Sequence, residues 1–230
     1  TSRPGAGRGQ GLAGGVAMLA FTAAIWGAQF PIAKSAFEHV DAFHLTIMRF
    51  GLPLLVLLAI LVWKEGWVTL RFDRLARDAT LYGFIGMCGS PALIFGGLML
   101  TRPEVAAIIV ATQPSTTAVA LWLVRGQRPG AFSLACIVVA FFGVVTVVTR
   151  WGLAIAPTPD ELIGFALIFS GTICWVAYTM ATDRFRGWSI LRLTTLTMLP
   201  GVLGNIALAV ALTGFGLSRT PTADDWSSVV

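Results

Sequence analysis

The 230 residues are 56% hydrophobic and only 12% charged, about half the charged share of a soluble domain. Lipid must be the main solvent of such a chain, which excludes a water-dissolved enzyme. The formal net charge of +5 invites a nucleic-acid partner, but the placement of the basic residues, given below, accounts for it otherwise.

Apolar runs long enough to cross a hydrocarbon core fall at about 12–36, 43–63, 79–100, 104–124, 131–149, 161–181 and 189–214. They predict seven helices. The short alternating segments of a membrane β-barrel are missing, and a helix satisfies its backbone donors internally. The fold class is therefore an all-α integral membrane protein. The first run is too long for a signal-peptide core and is not followed by a soluble mature domain.

The first run carries Trp26, Gln29, Phe30, Pro31 and Lys34 within "FTAAIWGAQFPIAKSAF". Gln29 must face the bundle, because an amide facing lipid leaves its donors unsatisfied; it serves a cavity or glues two helices together. Trp26, three residues earlier, shares its face with Phe30 and Ala33, as core packing or as a substrate wall. Lys34 lies near the helix end, where a long stem reaches the headgroups, and Pro31 marks a bend. His39 and His44 flank the next loop but lack a third ligand, so no metal centre is expected.

In the second run Arg49 lies about six residues inside the helix. A guanidinium there needs a partner, either a substrate carboxylate or one of Glu38, Asp41 and Glu104. Gly11/Gly15, Gly83/Gly86 and Gly201/Gly204 are expected to allow close helix approach. Cys88, Cys136 and Cys174 lie singly in separate runs and read as small core residues.

Thr101-Arg102-Pro103-Glu104 has the pattern of a capping box ahead of the fourth helix. Gln113-Pro114 lies inside that helix among Thr112, Ser115, Thr116 and Thr117. Proline frees the carbonyl of Val110 and permits a kink, as a plain bend or as a polar wall of a substrate path. A second capping box, Thr158-Pro159-Asp160-Glu161, precedes the helix that bears Trp175 and Tyr178. A weaker one, Thr222-Ala223-Asp224-Asp225, opens an eighth helix near Trp226 and Val229-Val230. The first residue is Thr and not Met, which suggests a piece of a longer protein.

With a cytoplasmic N-terminus, Arg3, Arg8, Lys64, Arg71, Arg74, Arg77, Arg125, Arg128, Arg184, Arg186 and Arg192 share the cytoplasmic side. Lys34, Arg102, Arg150 and Arg219 fall on the other. This is the positive-inside bias, eleven residues against four. It explains the net charge with no nucleic-acid partner and places the protein as a multi-pass protein of the cell (inner) membrane.

A shift of 149 lays residues 15–29 over 164–178, pairing Gly15 with Gly164, Ala17 with Ala166, Trp26 with Trp175 and Ala28 with Ala177. Gln29 meets Tyr178, and Pro53 meets Pro200 after a two-residue gap. The flanking charges invert between the copies, so the copies face opposite ways. A five-helix unit inverts in this manner, and inverted repeats mark secondary transporters. Residues 1–150 form the first unit and 151–230 the start of the second, and five plus five predicts ten helices.

The "AIWGAQFPIAK", "MRFGLPLLVLL", "ATQPSTTAVALWLVRGQRP", "FFGVVTVV" and "CWVAY" stretches, in this order, resemble the EamA-like branch of the drug/metabolite transporter superfamily. The resemblance spans the whole chain. It implies ten helices, both termini in the cytoplasm, and export or exchange of small metabolites, amino acids among them. The family often has Glu after helix four where this chain has Gln127, which puts the ion pair of that carboxylate in doubt. The last three helices help to close the family's central cavity, so residues 1–230 alone are not expected to transport.

Without a Walker motif or a phosphate loop, no cofactor is expected, and alternating access driven by a substrate gradient or exchange is the leading function. The substrate-binding candidates are Trp26, Gln29, Phe30, Arg49, Gln113, Trp175 and Tyr178. The alternative is an integral-membrane enzyme acting on lipid, with His39, His44 and Asp41 as its only candidates.

Overall fold

Hydrocarbon offers a backbone no hydrogen-bond partner, and every apolar run of this chain is helical. The computed structural model describes residues 6–71, 73–148 and 157–227. Arg3, Arg150 and Val229-Val230 lie outside the described residues, as do the side chain of Arg8 and the surroundings of Gly11. The helices are α1 (Ala6–Ala36), α2 (Ala42–Glu65), α3 (Arg74–Gly83), α4 (Ser90–Leu100), α5 (Pro103–Ala111), α6 (Gln113–Arg125), α7 (Ala131–Val148), α8 (Pro159–Ala181), α9 (Ile190–Gly214) and α10 (Ala223–Ser227). Six stretches among the described residues are long and apolar enough to cross a membrane, and α7 adds a shorter apolar helix. The protein is an all-helical, multi-pass membrane protein.

Two of the spans are interrupted, each by a proline. A π-helical segment, Phe84–Gly89, joins α3 to α4. Pro91 has no N–H to give the carbonyl four residues back, that of Met87. The Asn205 side chain from α9 supplies the missing donor, with Nδ2 at 3.0 Å from the Met87 carbonyl. In the next span Pro114 splits the helix into α5 and α6 at Thr112, whose ψ is near zero. The Thr112 hydroxyl donates back to the Ile109 carbonyl at 2.6 Å. The kink expected at Gln113-Pro114 is present, whereas α1 runs unbroken through Pro31.

Caps hold the other ends. Asp41 accepts from the Phe43 and His44 backbone at the start of α2, and Asp73 accepts from Ala76 at the start of α3. The Thr158/Glu161 capping box forms in full, and Thr222 with Asp225 opens α10 in the expected way. The box expected at Thr101/Glu104 does not form. Arg102 takes the cap position of α5 with no side-chain bond, and the buried Thr101 hydroxyl has no partner. Thr101 packs against Gly164 of α8, which turns its side chain away from the α5 amides.

Lys34 likewise departs from the expectation of a headgroup anchor. Its Nζ donates to the carbonyls of Leu98 (2.7 Å), Met99 (3.0 Å) and Thr101 (2.9 Å). All three ammonium N–H groups are thus used on the orphan carbonyls that close α4, where the helix dipole also favours a cation. This pins the end of α1 to the turn between α4 and α5 and sets the two helices parallel.

Glycines bring the centre of the bundle into backbone contact. A Cβ at Gly97 would lie 2.5 Å from the Gly164 carbonyl oxygen, one at Gly171 2.8 Å from that of Ser90, and one at Gly201 2.3 Å from Met87 Cβ. The pairs 97/164 and 90/171 run in opposite senses, so α8 is antiparallel to α4, and hence to α1. Close approach is present at Gly83, Gly86, Gly201 and Gly204, but nothing lies within 4 Å of a Cβ at Gly15. Cys88 is buried as expected, but Cys136 is exposed on α7 and is no core residue.

At the opposite end, Ser189 ahead of α9 donates to Glu65 at the end of α2, so α9 is antiparallel to α2. Arg125 donates to Asp183 Oδ2 at 2.7 Å and to the Met180 carbonyl at 3.1 Å. The carboxylate at this corner comes from the end of α8 and not from residue 127.

Two outcomes test this packing. Gly97→Val should lower stability by about 1–3 kcal/mol through overpacking, while Gly96→Val, with open space around it, should cost far less. Thermal unfolding of the two purified variants in detergent measures the difference. Lys34→Met, which strips three charge-assisted hydrogen bonds, should cost roughly 2 kcal/mol and expose the α4 end to faster hydrogen exchange.

Candidate functional site

The inner face of α1 does not meet α8 along its length, and the gap between them is a cavity of about 700 Å³. Its walls come from α1, α2, α4, α5, the start of α6 and α8. The volume lies within the range of small-molecule pockets, and the lining has their usual makeup, apolar with a few polar groups.

Six of the seven residues singled out from the sequence line this cavity: Trp26, Gln29, Phe30, Arg49, Gln113 and Trp175. They come from four helices. Trp26 and Trp175, the repeat counterparts, meet edge to face with ring centroids 5.9 Å apart. Gln29 lies one turn from Trp26, and its Oε1 accepts from Arg49 Nη2 at 2.6 Å. The Arg49 guanidinium also sits over the Phe95 and Phe50 rings, at 5.0 and 5.5 Å from their centroids, a favourable placement for a cation. It pairs with none of Glu38, Asp41 and Glu104. Asp41 is occupied by the α2 cap and by His44 Nδ1.

Tyr178 takes a different position. Its ring stacks at 5.5 Å from Trp175, but it is 7% exposed and does not line the cavity. The ring packs on Gly86, and the hydroxyl bonds the Thr197 hydroxyl of α9 at 3.1 Å. Tyr178 therefore supports Trp175 from behind. One turn after Trp175 on α8, Tyr178 is taken up by α9 and the π segment, through Thr197 and Gly86.

The sequence reading missed the floor of the cavity, above all Ser90, Pro91 and Phe95. A polar residue followed by proline inside an apolar run is the signal that drew attention to Gln113-Pro114, and Ser90-Pro91 repeats it. Nothing local marks Phe95, which belongs to the site because the Arg49 cation lies on its face.

Among the described residues no group of three or more His, Cys, Asp or Glu is placed to hold a metal ion. The His39, His44 and Asp41 neighbourhood reduces to one His–carboxylate contact at the α2 cap.

Comparison with known proteins bears on this geometry. A model of the EamA-like transporter family matches residues 13–149. The Bacillus subtilis (strain 168) protein named "Uncharacterized transporter YrdR" is 32% identical over 201 residues, which cover 86% of this chain and 63% of that protein. "Uncharacterized transporter YyaM" of the same organism is 31% identical over 188 residues, 80% of this chain and 61% of that protein. An Archaeoglobus fulgidus protein named "Uncharacterized transporter" is 29% identical over 176 residues, 73% and 56% of the respective chains. The chain thus spans less than two thirds of the length of these relatives. A solved crystal structure superimposes with a TM-score of 0.64 at 21% identity, covering 94% of this chain and 73% of the other, and shows a shared fold. An aromatic cavity walled by helices of opposite direction and the match over 13–149 together lead to one conclusion: this chain belongs to the EamA-like transporter family.

Proposed function

We propose that this protein exports or exchanges small metabolites across the cell (inner) membrane by alternating access, with the substrate held in the cavity between α1, α2, α4 and α8. The observation that carries the reading is the meeting of Trp26 and Trp175 at 5.9 Å on the wall of a 700 Å³ cavity. These are the repeat counterparts, on helices of opposite direction, and transporters built from inverted repeats bind substrate at the repeat interface. A site of that kind can be opened to one side or the other by the same motion, related by a two-fold axis in the membrane plane.

The reading divides the chain into a first repeat, residues 1–150, and the opening of a second, 151–230. The antiparallel relations of α1 to α8 and of α2 to α9 support it, as does the end of the family match at residue 149. The basic residues gathered at the end shared by Arg125 and Asp183 support a cytoplasmic N-terminus. Aromatic walls favour small amphiphiles with a flat apolar body, a class that includes aromatic amino acids. Membership in a transporter family leaves the lipid-enzyme alternative with no observation in its favour. In this scheme Trp26, Phe30, Gln113 and Trp175 form the wall, Gln29 and Arg49 the polar end, and Tyr178 the brace behind Trp175.

The test is flux in liposomes holding the full-length protein, across a panel of labelled amino acids and other small metabolites. Saturable uptake or efflux of at least one compound is expected, and flux no greater than in empty liposomes for every compound would reject the reading. For a transported compound, Gln29→Ala should raise KM about tenfold, the cost of one good hydrogen bond, with the unfolding temperature unchanged. Tyr178→Phe, which alters only the contact with Thr197, should leave KM within about twofold.

A further inference from the structure

The charge of the cavity is one-sided. Among the described residues Arg49 is the only ionisable side chain in the lining, and it makes no ion pair there. A guanidinium carries five N–H donors and no acceptor, and among the described residues a single one is used, on Gln29 Oε1 at 2.6 Å. That contact also orients the Gln29 amide, because its oxygen faces Arg49 and its Nε2 keeps two donors with no acceptor among the described residues. The indole nitrogens of Trp26 and Trp175 are donors as well. The Phe50 and Phe95 rings under Arg49 hold the cation in place but do not satisfy its N–H groups. The corner around Arg49 and Gln29 is therefore rich in donors and carries a positive charge, set against apolar and aromatic walls, while Ser90 and Gln113 add groups to the lining that both donate and accept.

We infer that the cavity selects organic anions, with a carboxylate or comparable oxyanion received by Arg49 and Gln29 and a flat apolar body lying against the tryptophan pair. This deepens the transport reading and rests on it. The fork of a guanidinium matches a carboxylate with two parallel hydrogen bonds, which an ammonium group in its place does not reproduce. Among the described residues no carboxylate lines the cavity to receive a ligand ammonium, so a zwitterion gains less from these walls than the corresponding anion, and a cation is repelled.

Four compounds that share one ring and one chain length separate these cases: 3-phenylpropionate, phenylalanine, 3-phenylpropan-1-ol and 3-phenylpropylammonium. None absorbs where tryptophan does, so binding to the full-length protein in detergent is read from tryptophan fluorescence and checked by calorimetry. The propionate should bind at least tenfold tighter than the alcohol, the ammonium should bind weakest, and phenylalanine should fall below the propionate. Arg49→Gln should bring the propionate to within about threefold of the alcohol while the affinity for the alcohol stays the same, and Arg49→Lys should keep part of the preference. The inference is overturned if the ammonium or the alcohol matches the propionate in the wild type, or if Arg49→Gln keeps the full preference with an unchanged unfolding temperature. Saturable flux of other metabolites with no binding of the propionate overturns it while leaving the transport reading intact. Absence of both flux and binding removes the two together.

Discussion

A backbone amide or carbonyl inside a bilayer has no water to turn to, and polar side chains gather where this chain breaks a helical ladder. Pro91 deprives the Met87 carbonyl of its donor, and Asn205 Nδ2 replaces it. Pro114 breaks the α5–α6 helix and takes the donor from the Val110 carbonyl, while the Thr112 hydroxyl turns back onto the neighbouring Ile109 carbonyl. The carbonyls that close α4 converge on the Lys34 ammonium. Two of these repairs come from other helices, so tertiary contacts are what make the interruptions tolerable.

The interruptions border the cavity. Ser90 and Pro91 follow the π segment and form part of its wall, Gln113 begins the helix after the α5–α6 break, and Lys34 lies one turn beyond Phe30. A continuous helix presents side chains at a constant angular step, and a π turn or a kink resets that step. π-bulges are frequent at functional sites for this reason. The prolines in effect re-aim the residues after them, and the cavity lies where the re-aimed faces of α4 and α6 meet α1 and α8.

Packing is uneven around this cavity. On one side α4, α8, α9 and the π segment are locked by glycine contacts at backbone distance, with Gly97 on Gly164 and Gly201 on Met87. On the other side α1 touches the bundle through the Lys34 clamp and a few residues such as Phe30 and Ala33, and its exposed residues include Met18, Leu19 and Phe21. A rigid wall facing a helix held at one end would suit the opening that the proposed transport requires. Trp175 belongs to the rigid wall, braced by Tyr178, and Trp26 to the helix opposite, so the ring contact between them spans the two.

Lipid solvation made the helices legible in the sequence. Apolar runs of spanning length have one stable backbone conformation, so all seven expected runs are helical. A local capping pattern needs only neighbouring residues, and Thr158/Glu161 and Thr222/Asp225 form as their spacing indicates. The shift that lays residues 15–29 over 164–178 singled out Trp26 and Trp175 together, and the structure brings their rings to 5.9 Å. Where a side chain had two partners to choose from, only the tertiary structure decided. Lys34 reaches the α4 carbonyls in place of headgroups, Thr101 is buried against α8 and leaves its cap unmade, and Arg49 takes Gln29 and two rings over three nearby carboxylates. Gly15 and Gly97 look alike in sequence, but only Gly97 faces another backbone. Secondary structure here follows from the solvent and the local chain, whereas hydrogen-bond partners depend on which helix faces arrive side by side, and that is a property of the packed bundle.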